Sequence, residues 1–160
     1  MDNQSSLLAH WSPRVLSILR IIVAFLIIQH GTQKLLGYPA QQPSPQPTPQ
    51  AAQQAGQTPQ QQQQQRSPAQ QSLPPLLLTA SILETFGGLL ILLGLFTRPV
   101  AFILAGEMAV AYFYQHAPNS FWPVVNRGEP AVFYCFLFLY MVFAGGGHWS
   151  LDYLMRRRQE

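Results

Sequence analysis

LLLTASILETFGGLLILLGLF, residues 76–96, is apolar almost throughout and is interrupted by a single charge, Glu84. A helix of about 20 residues, at 1.5 Å rise each, crosses the roughly 30 Å hydrocarbon core of a bilayer. A carboxylate near the centre of such a helix is expensive in lipid, so it turns to the bundle interior or a water-filled path. Three more segments follow this pattern. Val15 to Leu36 is punctuated by Arg20, His30 and Lys34, and Val100 to Tyr114 by Glu107, while Ala131 to Ala144 carries no charge. The expectation is an all-α fold: a four-helix transmembrane bundle with polar groups in its core. Its helices are expected over about 14–36, 75–96, 99–116 and 130–147, in a single membrane domain spanning 1–160.

Composition agrees. Hydrophobic residues make up 48% of the 160 residues and charged residues 9%, against roughly 25% charged in a soluble domain. The mean hydropathy of +0.09 is modest because a polar stretch dilutes it. A net charge of +3 calls for no nucleic acid partner. One cysteine, Cys135, cannot form an internal disulfide or a CxxC redox pair, and it reads as a small apolar side chain. The first apolar segment lacks a small-x-small cleavage site and reads as a retained helix.

Local signals place the boundaries. Pro13 suits a first helical turn, with Ser12 as its cap. Thr97-Arg98-Pro99 forms a turn into the third helix, Pro118 ends that helix, and Gly145-Gly146-Gly147 is the exit of the fourth. The insert over 40–72 holds the run Gln60 to Gln65 and the spaced prolines 43, 45, 47 and 49. Such a composition buries too little apolar surface to offset its ordering entropy, so a disordered spacer is expected.

Arg14, Arg20, Arg98 and Arg156 to Arg158 fall on one side of this arrangement, and Lys34, Arg66 and Arg127 on the other. Six against three puts both termini in the cytoplasm and the Gln-rich loop in the periplasm. Trp11, Trp122 and Trp149 sit at helix ends, as interfacial belts do, and Arg20 is expected to snorkel to the inner headgroups. Ala101, Ala105 and Ala109 form a stripe of small residues that lets backbones approach.

The candidate polar core is Glu84, His30, Lys34 and Glu107. Lys34 or His30 can serve Glu84, and Tyr112 or Tyr114 can donate to Glu107. A buried carboxylate with such neighbours suits proton handling, as a quinone requires at its oxygens. The competing reading is a polar clasp that holds four helices in register. His116, Asn126 and Glu129 mark the outer access side. No metal motif, phosphate loop or nucleophile triad is present in the sequence.

Several pieces together resemble the DoxX family of small bacterial membrane proteins. They are His30-Gly31-Thr32-Gln33-Lys34-Leu35-Leu36-Gly37; Glu84-Thr85-Phe86-Gly87-Gly88 running into Leu93-Gly94-Leu95-Phe96-Thr97-Arg98-Pro99; His116-Ala117-Pro118-Asn119 with Asn126-Arg127-Gly128-Glu129; and Gly145-Gly146-Gly147-His148-Trp149-Ser150-Leu151-Asp152. The resemblance implies a four-helix protein of the bacterial inner membrane, related to a quinone-reactive subunit of thiosulfate:quinone oxidoreductase and linked to redox and sulfur stress. It implies roles for His30, Lys34, Glu84, His116 and Glu129. The chain departs from the family in its long insert, and in Arg127, where glycine is more usual.

The leading expectation is a quinone-facing subunit or accessory of a membrane redox system, in the lipid bilayer with a soluble redox enzyme or second membrane subunit as partner. A non-enzymatic scaffold anchoring a soluble redox enzyme is the alternative, and a small-solute permease the weaker one. The residues themselves name no cofactor beyond the suitability for quinone.

Overall fold

A computed structural model describes residues 2–40 and 74–159. These form six helices and no strand. They are α1 (Asp2–Leu36), α2 (Pro75–Leu93, with a π turn at Leu83–Gly87), α3 (Thr97–Ala111, continued by a π turn at Tyr112–His116), the short α4 (Pro123–Asn126), α5 (Glu129–Ala144) and α6 (Leu151–Arg157). All of the expected spacer except Ala40 lies outside the described residues.

The ends of the helices follow backbone chemistry, with one correction to the sequence reading. α1 starts at Asp2 rather than near Arg14 and runs through Pro13, so Ser12 caps nothing. Leu7, Leu8 and Ala9 are strong helix formers and carry the helix across the proline. An interior proline costs roughly 3 kcal/mol through its missing N–H and its ring clash. Here neighbouring groups reinforce the turn. Ser17 Oγ donates to Pro13 O at 2.8 Å, and Arg14 Nη1 to His10 O at 2.8 Å. α2 stops at Leu93 because Gly94 turns left-handed, at φ +68°. α5 stops at Ala144, before Gly145 at φ +79°.

Two of the helices, Ala9–Leu36 and Pro75–Leu93, are long and apolar enough to cross a membrane; Glu129–Ala144 is apolar and shorter. α1 packs along α2, and α3 along α5. The pairs join through α2 and α3, and more thinly along a seam between α1 and α5. The core is built of modest side chains, including Val23, Ala24, Ile27, Ile91, Ala101, Leu104 and Ala105. Ala101 and Ala105 are the small residues that let α3 approach α5.

Exposure is inverted relative to a soluble protein. Phe143 is 76% exposed, Phe133 69% and Phe102 65%, while Arg20 is 1% and Glu84 3% exposed. Aromatic surface of this extent suits lipid contact, and polar groups take the interior that lipid cannot solvate.

Candidate functional site

Three close approaches fix the register of the helices. A Cβ at Gly31 of α1 would collide with Ser81 and Thr85 of α2, and one at Gly88 of α2 with Ile27 and Ile28 of α1. Gly87 lies against Leu104 of α3. Antiparallel helices in this register bring His30, Glu84 and Glu107 to a common level. Tyr134 of α5 joins it, meeting His30 edge to face with ring centroids 5.9 Å apart. Four helices thus each place a polar side chain in one layer. Tyr134 was not among the residues singled out from sequence; in a run of aromatics its hydroxyl carries no distinguishing signal.

Lys34 and Glu84 meet within that layer. Cβ atoms tilt toward a helix's N-terminus. Lys34 on α1 therefore leans away from the Leu36 end, while Glu84 on the antiparallel α2 leans toward it. The ammonium sits 2.7 Å from Oε1 and 2.8 Å from Oε2 of Glu84. The Glu84 side chain is 4% exposed and that of Lys34 31%, so one partner is dry and the other reaches the surface. Glu84 also sits in the π turn Leu83–Gly87, whose extra residue re-aims side chains and recurs at functional sites.

Glu107 differs. Both its carboxylate oxygens are buried, and neither has a hydrogen-bond partner among the described residues. Leaving a buried polar group unpaired costs about 1–3 kcal/mol. The expected donors are committed elsewhere: the Tyr112 hydroxyl donates to Phe121 O, and Tyr114 is exposed. Glu84 and Lys34 are near enough for their charges to act on Glu107. His30 does not reach Glu84; it is exposed and turned to the α1–α5 seam.

The outer residues form a loop clasp. His116 Nδ1 lies 3.1 Å from Asn126 O, and its ring stacks on Tyr112. Asn126 is buried, donates through Nδ2 to Ser120 O at 2.6 Å and accepts from Gly128 N at 2.7 Å. Every polar atom of Asn126 is thereby spent on shaping the loop. Glu129 is exposed in the first turn of α5, apart from that clasp. Arg127 turns left-handed at φ +59°, a conformation that glycine adopts without strain.

A second polar cluster lies at the opposite end of the helices, and it corrects the reading of Arg20 as a snorkelling side chain. Its Nε donates to Gly146 O at 2.9 Å, Nη1 to Leu92 O at 2.6 Å and also to Ile91 O, and Nη2 to Trp149 O at 2.7 Å. The guanidinium collects carbonyls at the end of α2 and in the glycine exit of α5. Asp152 completes the cluster, its two oxygens accepting from Phe96 N and Thr97 N at 2.8 Å each. Arg20 thus binds three chain segments together in place of a lipid headgroup.

A model of the DoxX family matches residues 15–117, from α1 through the π turn that ends α3. An uncharacterized protein of Haemophilus influenzae (strain ATCC 51907 / DSM 11121 / KW20 / Rd) is 39% identical over 148 residues, covering 91% of this chain and 93% of its own. No solved structure matches. The family match spans well over half the chain and includes Lys34, Glu84 and Glu107, and with it the chain belongs to the DoxX family, whose members are membrane proteins.

Proposed function

We propose that all four long helices cross the bacterial inner membrane as a single multi-pass domain, with both termini cytoplasmic and the Gln/Pro-rich loop periplasmic. Its polar layer binds the headgroup of a quinone, and the chain serves as the quinone-facing subunit or accessory of a redox system. The orientation rests on the six-to-three split of basic residues.

The observation that carries the reading is Glu107: two buried carboxylate oxygens without a hydrogen-bond partner among the described residues, near an ion pair. A group that donates a hydrogen bond or delivers a proton is the missing complement, and a quinol hydroxyl is such a group. The thin α1–α5 seam gives a lateral way in. His30 and Tyr134 meet at it, and a groove of about 380 Å³ bounded by Trp11, Leu16, Leu19 and Tyr140 lies between the same two helices nearer the Arg20 end. The groove is apolar enough for an isoprenoid tail.

When bound, a quinone supplies a two-electron, two-proton couple, and a partner enzyme supplies the electrons. Glu107 holds or releases a proton at its carboxylate. Exposed His30 passes protons between the layer and the surface, and the Tyr134 hydroxyl orients the headgroup oxygen. Lys34 cancels the charge of Glu84 and keeps the layer from repelling an approaching polar group. Catalysis at this site is proton handling and positioning.

The test is quinone content. Protein purified in mild detergent is extracted and quinone counted per chain by mass spectrometry. Near-stoichiometric quinone in the wild type and its loss in Glu107→Gln support the reading. A wild type with no enrichment over bulk membrane sinks it.

A second reading, a scaffold for a soluble redox enzyme, is favoured by the exposed apolar stretch of Phe121, Trp122, Val124 and Val125 beside the outer clasp. It expects a Trp122→Ser/Val125→Ser variant to lose a co-purifying enzyme while Glu107→Gln keeps it.

A further inference from the structure

At the Arg20 end of the helices, the start of α3, the glycine exit of α5 and the helix α6 border an open pocket of about 360 Å³. Arg98 on α3, Arg156 on α6 and Thr97 are among the residues that line it. Thr97 is 0% exposed, and its hydroxyl oxygen has no hydrogen-bond partner among the described residues. The acidic group in the pocket wall, Asp152, has both oxygens engaged by Phe96 N and Thr97 N. Among the described residues no carboxylate pairs with Arg98 or Arg156. Among the described residues that line it, the pocket thus has two arginines, and the one carboxylate, Asp152, is already bound by backbone N–H groups.

The surroundings suit a headgroup region. Trp149 is 54% exposed, Leu154 52% and Met155 44%, all on or beside α6, and Phe96 is 61% exposed across the pocket. The tail of α6 carries Arg156, Arg157 and Arg158. A short helix with an apolar side and a basic end lies in the membrane interface plane, with its charges among the phosphates.

We infer that this pocket is a binding site for a phosphate-bearing anion, held between Arg98 and Arg156 and supplied by an acidic phospholipid headgroup or by free phosphate. Guanidinium groups suit phosphate through paired N–H donors. The flanking Phe96 and Met155 offer apolar surface to acyl chains. The site is separate from the polar layer around Glu107 and independent of quinone binding there.

Full-length protein, delipidated in mild detergent, is titrated with short-chain phosphatidylglycerol in one arm and inorganic phosphate in the other, with binding read by native mass spectrometry and thermal shift. Saturable binding in the wild type is expected to weaken about tenfold or more in Arg98→Gln/Arg156→Gln. It should change less than about twofold in Arg157→Gln/Arg158→Gln, which removes equal charge outside the pocket. Tight phosphatidylglycerol with weak phosphate assigns the site to lipid, and comparable affinities assign it to the free ion. Equal weakening in both double variants, or no saturable binding of either probe, overturns the inference. Arg98 Nη2 also approaches Phe143 O at 3.4 Å. If its replacement unfolds the protein, Arg156→Gln alone, on an exposed side chain, carries the test and should weaken binding about threefold or more.

Discussion

The two polar clusters of this protein answer the same problem in opposite ways. Around Arg20, at one end of the helices, four named carbonyls meet one guanidinium and Asp152 takes two backbone N–H groups. Around Glu84, deeper in the bundle, one ion pair is closed while the neighbouring Glu107 carboxylate has no hydrogen-bond partner among the described residues. A saturated network rigidifies and specifies a fold; an unsaturated one in low dielectric is a standing cost. The contrast is between an arginine and an aspartate spent on tying chain segments together and a carboxylate that the described residues leave unpaired.

The sharpest way to break the comparison is at Arg20. Arg20→Met should cost about 3–5 kcal/mol, since several charge-assisted hydrogen bonds of roughly 1.5–3 kcal/mol are lost without full additivity. Thermal unfolding in detergent measures it. A loss below that of Glu84→Gln would mean the end cluster is not the structural one.

Next in size is the ion pair. Glu84→Gln should cost about 1–2 kcal/mol, less than for a fully enclosed pair because Lys34 can regain water. Lys34→Met made in the Glu84→Gln background should cost less than Lys34→Met alone, and a double-mutant cycle reads the difference. Additive effects would deny the pair any coupling.

Arg127→Gly supplies a scale. Relieving a left-handed arginine at the end of α4 should raise stability by roughly 0.5–1 kcal/mol without touching either cluster. A destabilised variant would show that the arginine side chain does something for the outer loop that outweighs its backbone strain.

The smallest effect on folding belongs to Glu107. Glu107→Gln keeps shape and removes no hydrogen bond to the described residues, so stability should move by less than about 0.5 kcal/mol, while quinone retention falls. A large destabilisation would show that the carboxylate has a structural partner and would merge the two clusters into one kind.

Much of the helical layout was legible because long apolar segments have few alternatives in a chain with 9% charged residues. Lys34 with Glu84 was also legible, since few opposite charges were available to pair. Arg20 was misread because its partners are backbone carbonyls, which leave no mark in the sequence, and because an arginine near a helix end usually reaches for headgroups. Pro13 misled for a related reason. Its usual place is a first turn, and only the bonds of Ser17 and Arg14 show how the helix passes it. His30 sits one turn from Lys34, yet faces another helix, because four residues advance a helix by slightly more than one full turn.

The π turn at Leu83–Gly87 has a consequence that reaches past local geometry. A π turn absorbs one extra residue within a single turn, so the helix on either side keeps its phase while the residues in the turn are re-aimed. Deleting a residue there, such as Leu83, would restore the ordinary repeat and leave Gly88 seated on Ile27 and Ile28. Glu84, moved back one position, would turn by about 100° and swing away from Lys34. A one-residue deletion at this turn would thus unhook the charge layer while sparing both the hydrophobicity and the packing of α2, a sensitivity of which its composition gives no hint.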